Sequence, residues 1–213
     1  MARTTLRGML FVLILGVLGA CRAPGRTTSA GVSAPIRSSF WPDWRGPARA
    51  GHSDAVPKRL AGAPRVVWHQ LLTGLGHSGV VATDCQAIVA DKSADGTRDV
   101  WRCLDAVTGN EMWTLEYEAA GDMAYSNAPR ATPVLRDGLV YLLGAFGHLY
   151  CVELATGHVV WRRHLAEDFG AQAPMWGYTA TPLIEGNRLI VNPGAPDASL
   201  AALDRLTGEV LWK

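Results

Sequence analysis

From residue 78 onward the chain breaks into short runs in which apolar and polar positions alternate, each run closed by a turn signal. Asp137-Gly138 precedes the run LVYLLG, and Glu185-Gly186-Asn187 precedes RLIVN. Period-two alternation over four to eight residues between Gly- and Asp-containing turns predicts half-buried β-strands, not helices. Four such runs make one unit, and in its best-defined copy the predicted strands fall at about 131–135, 139–144, 148–153 and 158–164.

The unit repeats. Cys103-Leu-Asp-Ala-Val-Thr-Gly-Asn-Glu-Met-Trp113, Cys151-Val-Glu-Leu-Ala-Thr-Gly-His-Val-Val-Trp161 and the stretch from Ala202 to Trp212 superimpose, with closing tryptophans 48 and 51 residues apart. Trp68, in RVVWHQLL, lies 45 residues before Trp113 and matches the outer strand of a preceding, partial unit. A second set, Ala131-Thr-Pro-Val-Leu135 and Ala180-Thr-Pro-Leu-Ile184, opens the units, with Ser78-Gly-Val-Val81 as a weaker first copy. Four-stranded repeats of 40 to 50 residues have the period of β-propeller blades. A two-sheet sandwich is the rival architecture, and a Trp at one fixed position in every unit argues against it.

Each residue of the repeated turn has a physical task. Asp105, Glu153 and Asp204 end the third strand and can accept hydrogen bonds from the turn backbone. Thr108, Thr156 and Thr207 offer hydroxyls to the same turn. Gly109, Gly157 and Gly208 supply a positive φ. Trp113, Trp161 and Trp212 sit on the fourth strand, where a large flat ring can cover the adjoining unit.

Composition fits a turn-rich β protein: 23 Gly, 12 Pro and 8 Trp in 213 residues,. Twenty basic and 19 acidic side chains leave a formal charge of +1, which argues against nucleic acid as a partner,. The four cysteines, Cys21, Cys85, Cys103 and Cys151, contain no CxxC pair and are too few for a disulfide scaffold,. Cys85 and Cys103 flank the first unit's inner hairpin, but a pairing centred between Asp91 and Val100 sets them out of register, and Cα atoms more than ~7 Å apart cannot bridge. Cys103 and Cys151 are expected as small buried side chains standing where a repeat would place alanine.

The N-terminus reads as an address. Arg3 and Arg7 precede an apolar run from Met9 to Leu18, of signal-peptide length and too short to anchor across a bilayer,. Leu18-Gly-Ala-Cys21 then resembles the lipobox of bacterial lipoproteins, which implies cleavage before Cys21 and lipidation of its thiol. An ordinary signal peptide with an incidental cysteine is the alternative. Residues 1–20 are thus the expected signal peptide and 21–40, rich in Ser, Thr, Ala, Gly and Pro, a flexible tether,. Arg22 replaces the aspartate of an inner-membrane retention signal, so the expected location is lipid-anchored, facing the periplasm, with the outer membrane favoured.

The three turn stretches resemble the tryptophan-docking repeat A-x-D-x-x-T-G-x-x-x-W of quinoprotein-type, PQQ-binding-like β-propellers. The third copy matches in full at Ala202, Asp204, Thr207, Gly208 and Trp212. The first has Cys103 for Ala; the second has Cys151 for Ala and Glu153 for Asp. Trp41-Pro-Asp-Trp-Arg-Gly-Pro47 resembles the opening of bacterial members, and Asn127-Ala-Pro-Arg-Ala-Thr-Pro133 and Trp176-Gly-Tyr178 resemble their connecting loops. The resemblance covers 41–213. It implies an all-β partial propeller of about three four-stranded blades plus one extra outer strand at 65–72. An eight-bladed ring of this type needs roughly 360 residues, within the four-to-eight-blade range, so the expectation is the N-terminal part of a larger ring. A short chain that closes a ring by oligomerising competes with it.

Catalytic members of the family use pyrroloquinoline quinone and calcium beside a ring of neighbouring cysteines. This chain has no adjacent cysteines and no acidic cluster with calcium spacing,. No catalytic, cofactor or metal residue is therefore assigned, and neither cofactor is expected. None of the six histidines forms a cluster by spacing, and G-x-S-x-G is absent,. Loops 117–130 and 165–178 join consecutive units, and loops on a rigid scaffold carry binding. Tyr125, Asn127, Arg130, Met175, Trp176 and Tyr178 are the candidate contact residues; packing between blades is their other available role. The functional expectation is a non-catalytic envelope lipoprotein, a propeller-repeat scaffold for protein or ligand binding. In anchor and repeat it resembles the propeller lipoprotein of the outer-membrane β-barrel assembly machinery. The alternatives are a fragment of a quinone-dependent oxidoreductase, with its quinone and calcium, or a truncated non-functional reading frame.

Overall fold

The computed structural model describes residues 40–53, 59, 62–74 and 76–213; the expected signal peptide, Cys21 and the tether through residue 39 lie outside them. Among the described residues no helix is long and apolar enough to cross a membrane. Twelve strands form three separate four-stranded antiparallel sheets, each with its strands in sequence order. The first blade comprises β1 (Val81–Ala82), β2 (Gln86–Lys92), β3 (Arg98–Asp105) and β4 (Glu111–Glu118). The second comprises β5 (Val134–Arg136), β6 (Leu139–Leu143), β7 (His148–Glu153) and β8 (Val159–His164). The third comprises β9 (Leu183–Glu185), β10 (Arg188–Val191), β11 (Ala201–Asp204) and β12 (Val210–Trp212). This is the partial β-propeller that the alternation implied, with blades defined by three copies of one hydrogen-bonding pattern.

The core lies in the seams between blades. Ile88, Trp101, Cys103 and Trp113 of the first blade pack against Leu135, Val140, Leu142 and Val152 of the second. Tyr141, Leu149, Cys151 and Trp161 of the second pack against Ile184, Leu189, Ala201 and Leu203 of the third. In the outer strands of the first two blades the tryptophan is the one buried residue, Trp113 in β4 and Trp161 in β8, whereas β12 is exposed throughout.

The same irregularity recurs in all three sheets. The ladder between third and fourth strands shifts register at Cys103/Leu104, Cys151/Val152 and Ala202/Leu203. The residue before each shift faces the blade's tryptophan: Cys103 opposite Trp113, Cys151 opposite Trp161, Ala202 opposite Trp212. A bulge twists the strand and re-aims its side chains, and only a small residue fits opposite an indole turned into the seam. Cys103 and Cys151 meet that need as buried free thiols, so no Cys85–Cys103 bridge forms. Burial pushes the Cys103 thiol up to about 11 and the Cys151 thiol up to about 12, which keeps both protonated and unreactive,.

The expected outer strand at 65–72 is not a ladder element. A strand exists only where a neighbour completes its hydrogen bonds, and Val66, Val67 and Leu71 instead point into solvent. Trp68 still occupies its repeat position: its indole donates to the Ala106 carbonyl at 3.1 Å and its ring lies over Gly109.

The opening segment ties the blades together at their inner ends. Trp41 exchanges two backbone hydrogen bonds, at 2.8 and 2.9 Å, with Ala82 of β1 in the first blade. The Pro42 carbonyl accepts from the Leu135 amide of β5 at 2.7 Å. Arg49 donates to the Pro182 carbonyl, just before β9, at 2.6 Å. Asp43 holds Arg49 in place through two contacts of 2.9 and 3.0 Å.

Candidate partner-binding groove

Each blade has two ends with different chemistry. At one end lie the repeated turns. Asp105 Oδ1 accepts from the amides of Val107 and Thr108 and from the Thr108 hydroxyl, at 2.9, 2.7 and 3.0 Å. Those donors, Thr108 first, hold its carboxyl below the usual range. Asp204 accepts likewise from Leu206 and Thr207, at 2.8 and 3.0 Å. Glu153 is one carbon longer and takes the Thr156 hydroxyl at 2.8 Å. The turns also receive the preceding blade. Trp113 donates to the Leu154 carbonyl at 2.8 Å and Trp161 to the Arg205 carbonyl at 3.0 Å. A Cβ on Gly157 would lie 2.7 Å from the Trp113 ring, and one on Gly208 2.8 Å from Trp161. The glycines are thus required twice, by φ of 74° and 75° and by the ring pressed onto them,. Trp113 and Trp161 are 9% and 8% exposed, whereas Trp212, with no such turn against it among the described residues, is 43% exposed.

At the other end the connections between blades differ from one another. Asn127 turns inward and staples its own loop, accepting from the Met123 amide at 2.8 Å and donating to the Gly121 carbonyl at 2.7 Å. Tyr178 is buried, its hydroxyl donating to the Pro193 carbonyl at 3.2 Å. Both side chains are thus engaged within the fold. Met175 is exposed but stands outside the hollows described next. The expected loop at 165–178 begins with a short helix, α1 (Leu165–Phe169), capped by His164 and by Gly170 in the left-handed region.

The remaining three candidates form one assembly. Arg130 donates to the Ala124 carbonyl and, at 2.5 Å, to the Ser126 carbonyl, the two carbonyls flanking Tyr125. Its other terminal nitrogen donates to the Trp176 carbonyl at 2.7 Å, joining the two inter-blade loops. Tyr125 sits at φ 73°, where a non-glycine residue costs about 1–3 kcal/mol and persists only if its surroundings impose it,. Arg130 supplies that imposition. The result is an aromatic pair in water: Tyr125 is 75% exposed, Trp176 49%, with ring centroids 5.3 Å apart.

Two hollows open beside this pair. One, of about 540 Å³, is walled by Trp44, Arg49, His77, Arg130, Thr132 and Thr181. The other, of about 300 Å³, lies between His77, Tyr125, Arg130, Trp176 and Thr179. They share His77, Arg130 and Thr179, and neither is lined by an Asp or Glu. Trp44, Arg49, His77 and Thr179 are residues that sequence reasoning missed. The one available signal was the pair of tryptophans in the opening motif, of which Trp41 is turned onto Gly46 and Trp44 is left exposed.

A third cavity, of about 580 Å³, opens at the seam of the first two blades, among Tyr117, Glu118, His148, Arg162, His164 and Asp168. The histidines, which spacing left scattered, come together here: His148 opposes His164 across β7 and β8, with rings 4.4 Å apart and edge-on. Pairing the two predicted strands would have revealed it. Burial, helped by the charges of His164 and Lys92, pushes His148 down to about 4. Behind it Lys92 meets Asp99 at 2.8 Å and Tyr117 stacks on Tyr150. Burial pushes the Asp99 carboxyl up against the pull of Lys92. Charges on the rim are also paired, Arg163 with Asp168 at 2.7 Å and Arg98 with Glu118 at 3.5 Å. Two buried atoms here, His148 Nδ1 and Asp99 Oδ2, have no hydrogen-bond partner among the described residues. Among the described residues no three His, Cys, Asp or Glu side chains converge to hold a metal ion.

Blades of four strands, a Trp-on-Gly contact between consecutive blades and irregular loops at the opposite end define a PQQ-like propeller-repeat protein. The family described as "PQQ_2: Outer membrane protein assembly factor BamB" matches residues 96–213, and the chain belongs to it. It is 31% identical over 85 residues to the quinoprotein alcohol dehydrogenase PedH of Pseudomonas putida, a stretch that covers 39% of this chain and 14% of PedH. A europium-containing methanol dehydrogenase shares the fold at 15% identity and a TM-score of 0.50, over 70% of this chain and 26% of the enzyme. BamB from Moraxella catarrhalis aligns at 21% identity and a TM-score of 0.45, over 68% of this chain and 41% of that one. The quinohemoprotein alcohol dehydrogenase of Comamonas testosteroni aligns at 24% and 0.48, over 64% and 20%. The matched part of the chain covers less than half the length of each of these proteins.

Proposed function

We propose that the protein is a non-catalytic lipoprotein of the bacterial envelope, anchored through Cys21, whose propeller blades hold a protein partner at the loop end. The observation that carries this reading is the Arg130 clamp, which keeps Tyr125 in a costly conformation while presenting it, with Trp176, to solvent. Packing gains nothing from that exposure, whereas interface hot spots are enriched in Tyr, Trp and Arg. The lipobox-like Leu18-Gly-Ala-Cys21 supports export and anchoring, and the family's description supports an envelope assembly role. Two measurements test it. Mass spectrometry of the protein expressed in a bacterial host should find a lipidated Cys21 at the N-terminus; an unmodified N-terminus elsewhere refutes the anchor. Photo-cross-linking from positions spread over the blades, in envelope preparations, should capture a defined partner; its absence refutes the scaffold.

The identity to PedH favours a second reading, a part of a quinone-dependent oxidoreductase. Retention of pyrroloquinoline quinone after incubation with calcium and desalting, seen by absorbance, would decide for it.

A further inference from the structure

Building on the scaffold role above, we infer that the groove takes an acidic, extended segment of a partner protein. It would seat an apolar side chain against Tyr125 and Trp176, and its carboxylates beside Arg130 and Arg45. Charge is the first ground. Arg130 is bonded to three carbonyls and, among the described residues, to no carboxylate. Arg45 lies 5.4 Å over the Trp44 ring and donates to the Ala50 carbonyl, again with no carboxylate among the described residues. Arg49 is matched by Asp43. Arg49 and Arg130 line the groove and Arg45 stands over the ring of Trp44, one of its walls; the three guanidinium groups share one carboxylate partner, Asp43, among the described residues, and a carboxylate-bearing occupant would complete them,.

Shape is the second ground. The hollows of about 540 and 300 Å³ run in series through shared walls, a course for a chain and not an enclosed chamber for one compact molecule. Thr132, Thr179 and Thr181 line it with hydroxyls that can serve the polar groups of an extended backbone,. Preorganisation is the third. Tyr125 and Trp176 are fixed by one arginine before any partner arrives, which lowers the ordering cost of association,.

The test uses the full chain in mild detergent and two labelled, end-blocked peptides, Ser-Phe-Asp-Phe-Glu-Ser and its neutral counterpart Ser-Phe-Asn-Phe-Gln-Ser, read by fluorescence anisotropy. The acidic peptide should bind at least about tenfold more tightly, and its advantage should shrink as ionic strength rises. Tyr125→Gly removes the ring at a backbone position glycine favours, so the variant should melt no earlier than the parent yet bind about tenfold more weakly. Because Arg130→Gln can loosen the loop, Arg45→Gln serves as the charge variant and should reduce the acidic peptide's advantage alone. Equal affinity for the two peptides, or an unaffected Tyr125→Gly, overturns the proposal. Displacement of the peptide by citrate at matched concentration also overturns it, in favour of a small-acid site. Failure of both peptides, with a partner still cross-linked elsewhere on the blades, overturns the groove and leaves the scaffold role standing.

Discussion

The two ends of each blade follow opposite rules. At the turn end, one residue set is repeated, and the Trp113 and Trp161 rings each sit on a glycine of the next blade while their indoles donate to a carbonyl there. At the loop end no two connections are alike, and large aromatic side chains are held out of the core by an arginine that could have been spent on packing. The difference separates what makes the blades cohere from what can be varied to suit a partner. Substitutions at the turn end should therefore change stability, and substitutions at the loop end should change binding.

The largest effect is expected at the seams. Trp113→Ala and Trp161→Ala should each cost about 3–5 kcal/mol in denaturant melts, because each removes a buried ring and an indole hydrogen bond. Trp212→Ala should cost a fraction of that, since its ring is nearly half exposed. Equal costs for all three would break the link between stability and the ring-on-glycine contact.

Next comes the glycine beneath a ring. Gly157→Ala forces a side chain into the left-handed region, about 1–2 kcal/mol, and drives its Cβ into Trp113. Gly186→Ala is the control: φ is +58° but nothing lies within 4 Å, so the backbone part alone should appear. If the two variants melt together, the ring contact contributes nothing beyond φ.

A smaller effect sharpens the comparison at the His148 cavity. His148 titrates at about 4 in the folded protein, against about 6.5 when unfolded,. The unfolded chain takes up the proton first, so stability present above pH 6.5 should fall as pH drops toward 4. His148→Gln should flatten that slope in melts across the window, with the raised Asp99 carboxyl common to both proteins. An unchanged slope would mean that the imidazole stays hydrated.

The smallest change in stability belongs to the loop end. Tyr125→Gly should leave the melting temperature unchanged or raise it by the equivalent of up to about 1 kcal/mol, because φ 73° suits glycine. A clear loss would show that the Tyr125 ring is structural.

Much of the turn end was legible because its logic is local. Asp105 and Thr108 meet within three residues, and alternation fixes which strand positions face the seam. Strand limits in the second blade came out within three residues of the structure, the main difference being that 131–133 do not join β5, Ala131 entering the core and Thr132 lining the groove. The segment at 65–72 shows the limit of pattern reading. Its Trp is placed as the repeat requires, yet no neighbouring strand turns the alternation into a ladder.

Local pattern thus specified the blade: its strands, its turns, the small buried residue that opens each repeated stretch and the period at which they recur. Only the tertiary structure decided which loop residues form a site. Arg130 reaches Trp176 across 46 residues, and Arg49 reaches Pro182 across 133. Asn127 and Tyr125 lie in one loop with similar polarity patterns around them, yet Asn127 bonds its own loop while Arg130, tied to Trp176 of the next loop, takes the carbonyls on either side of Tyr125 and leaves its ring outside. Periodicity records which face of a strand is buried; it carries no record of which irregular segments are brought side by side when the seams close.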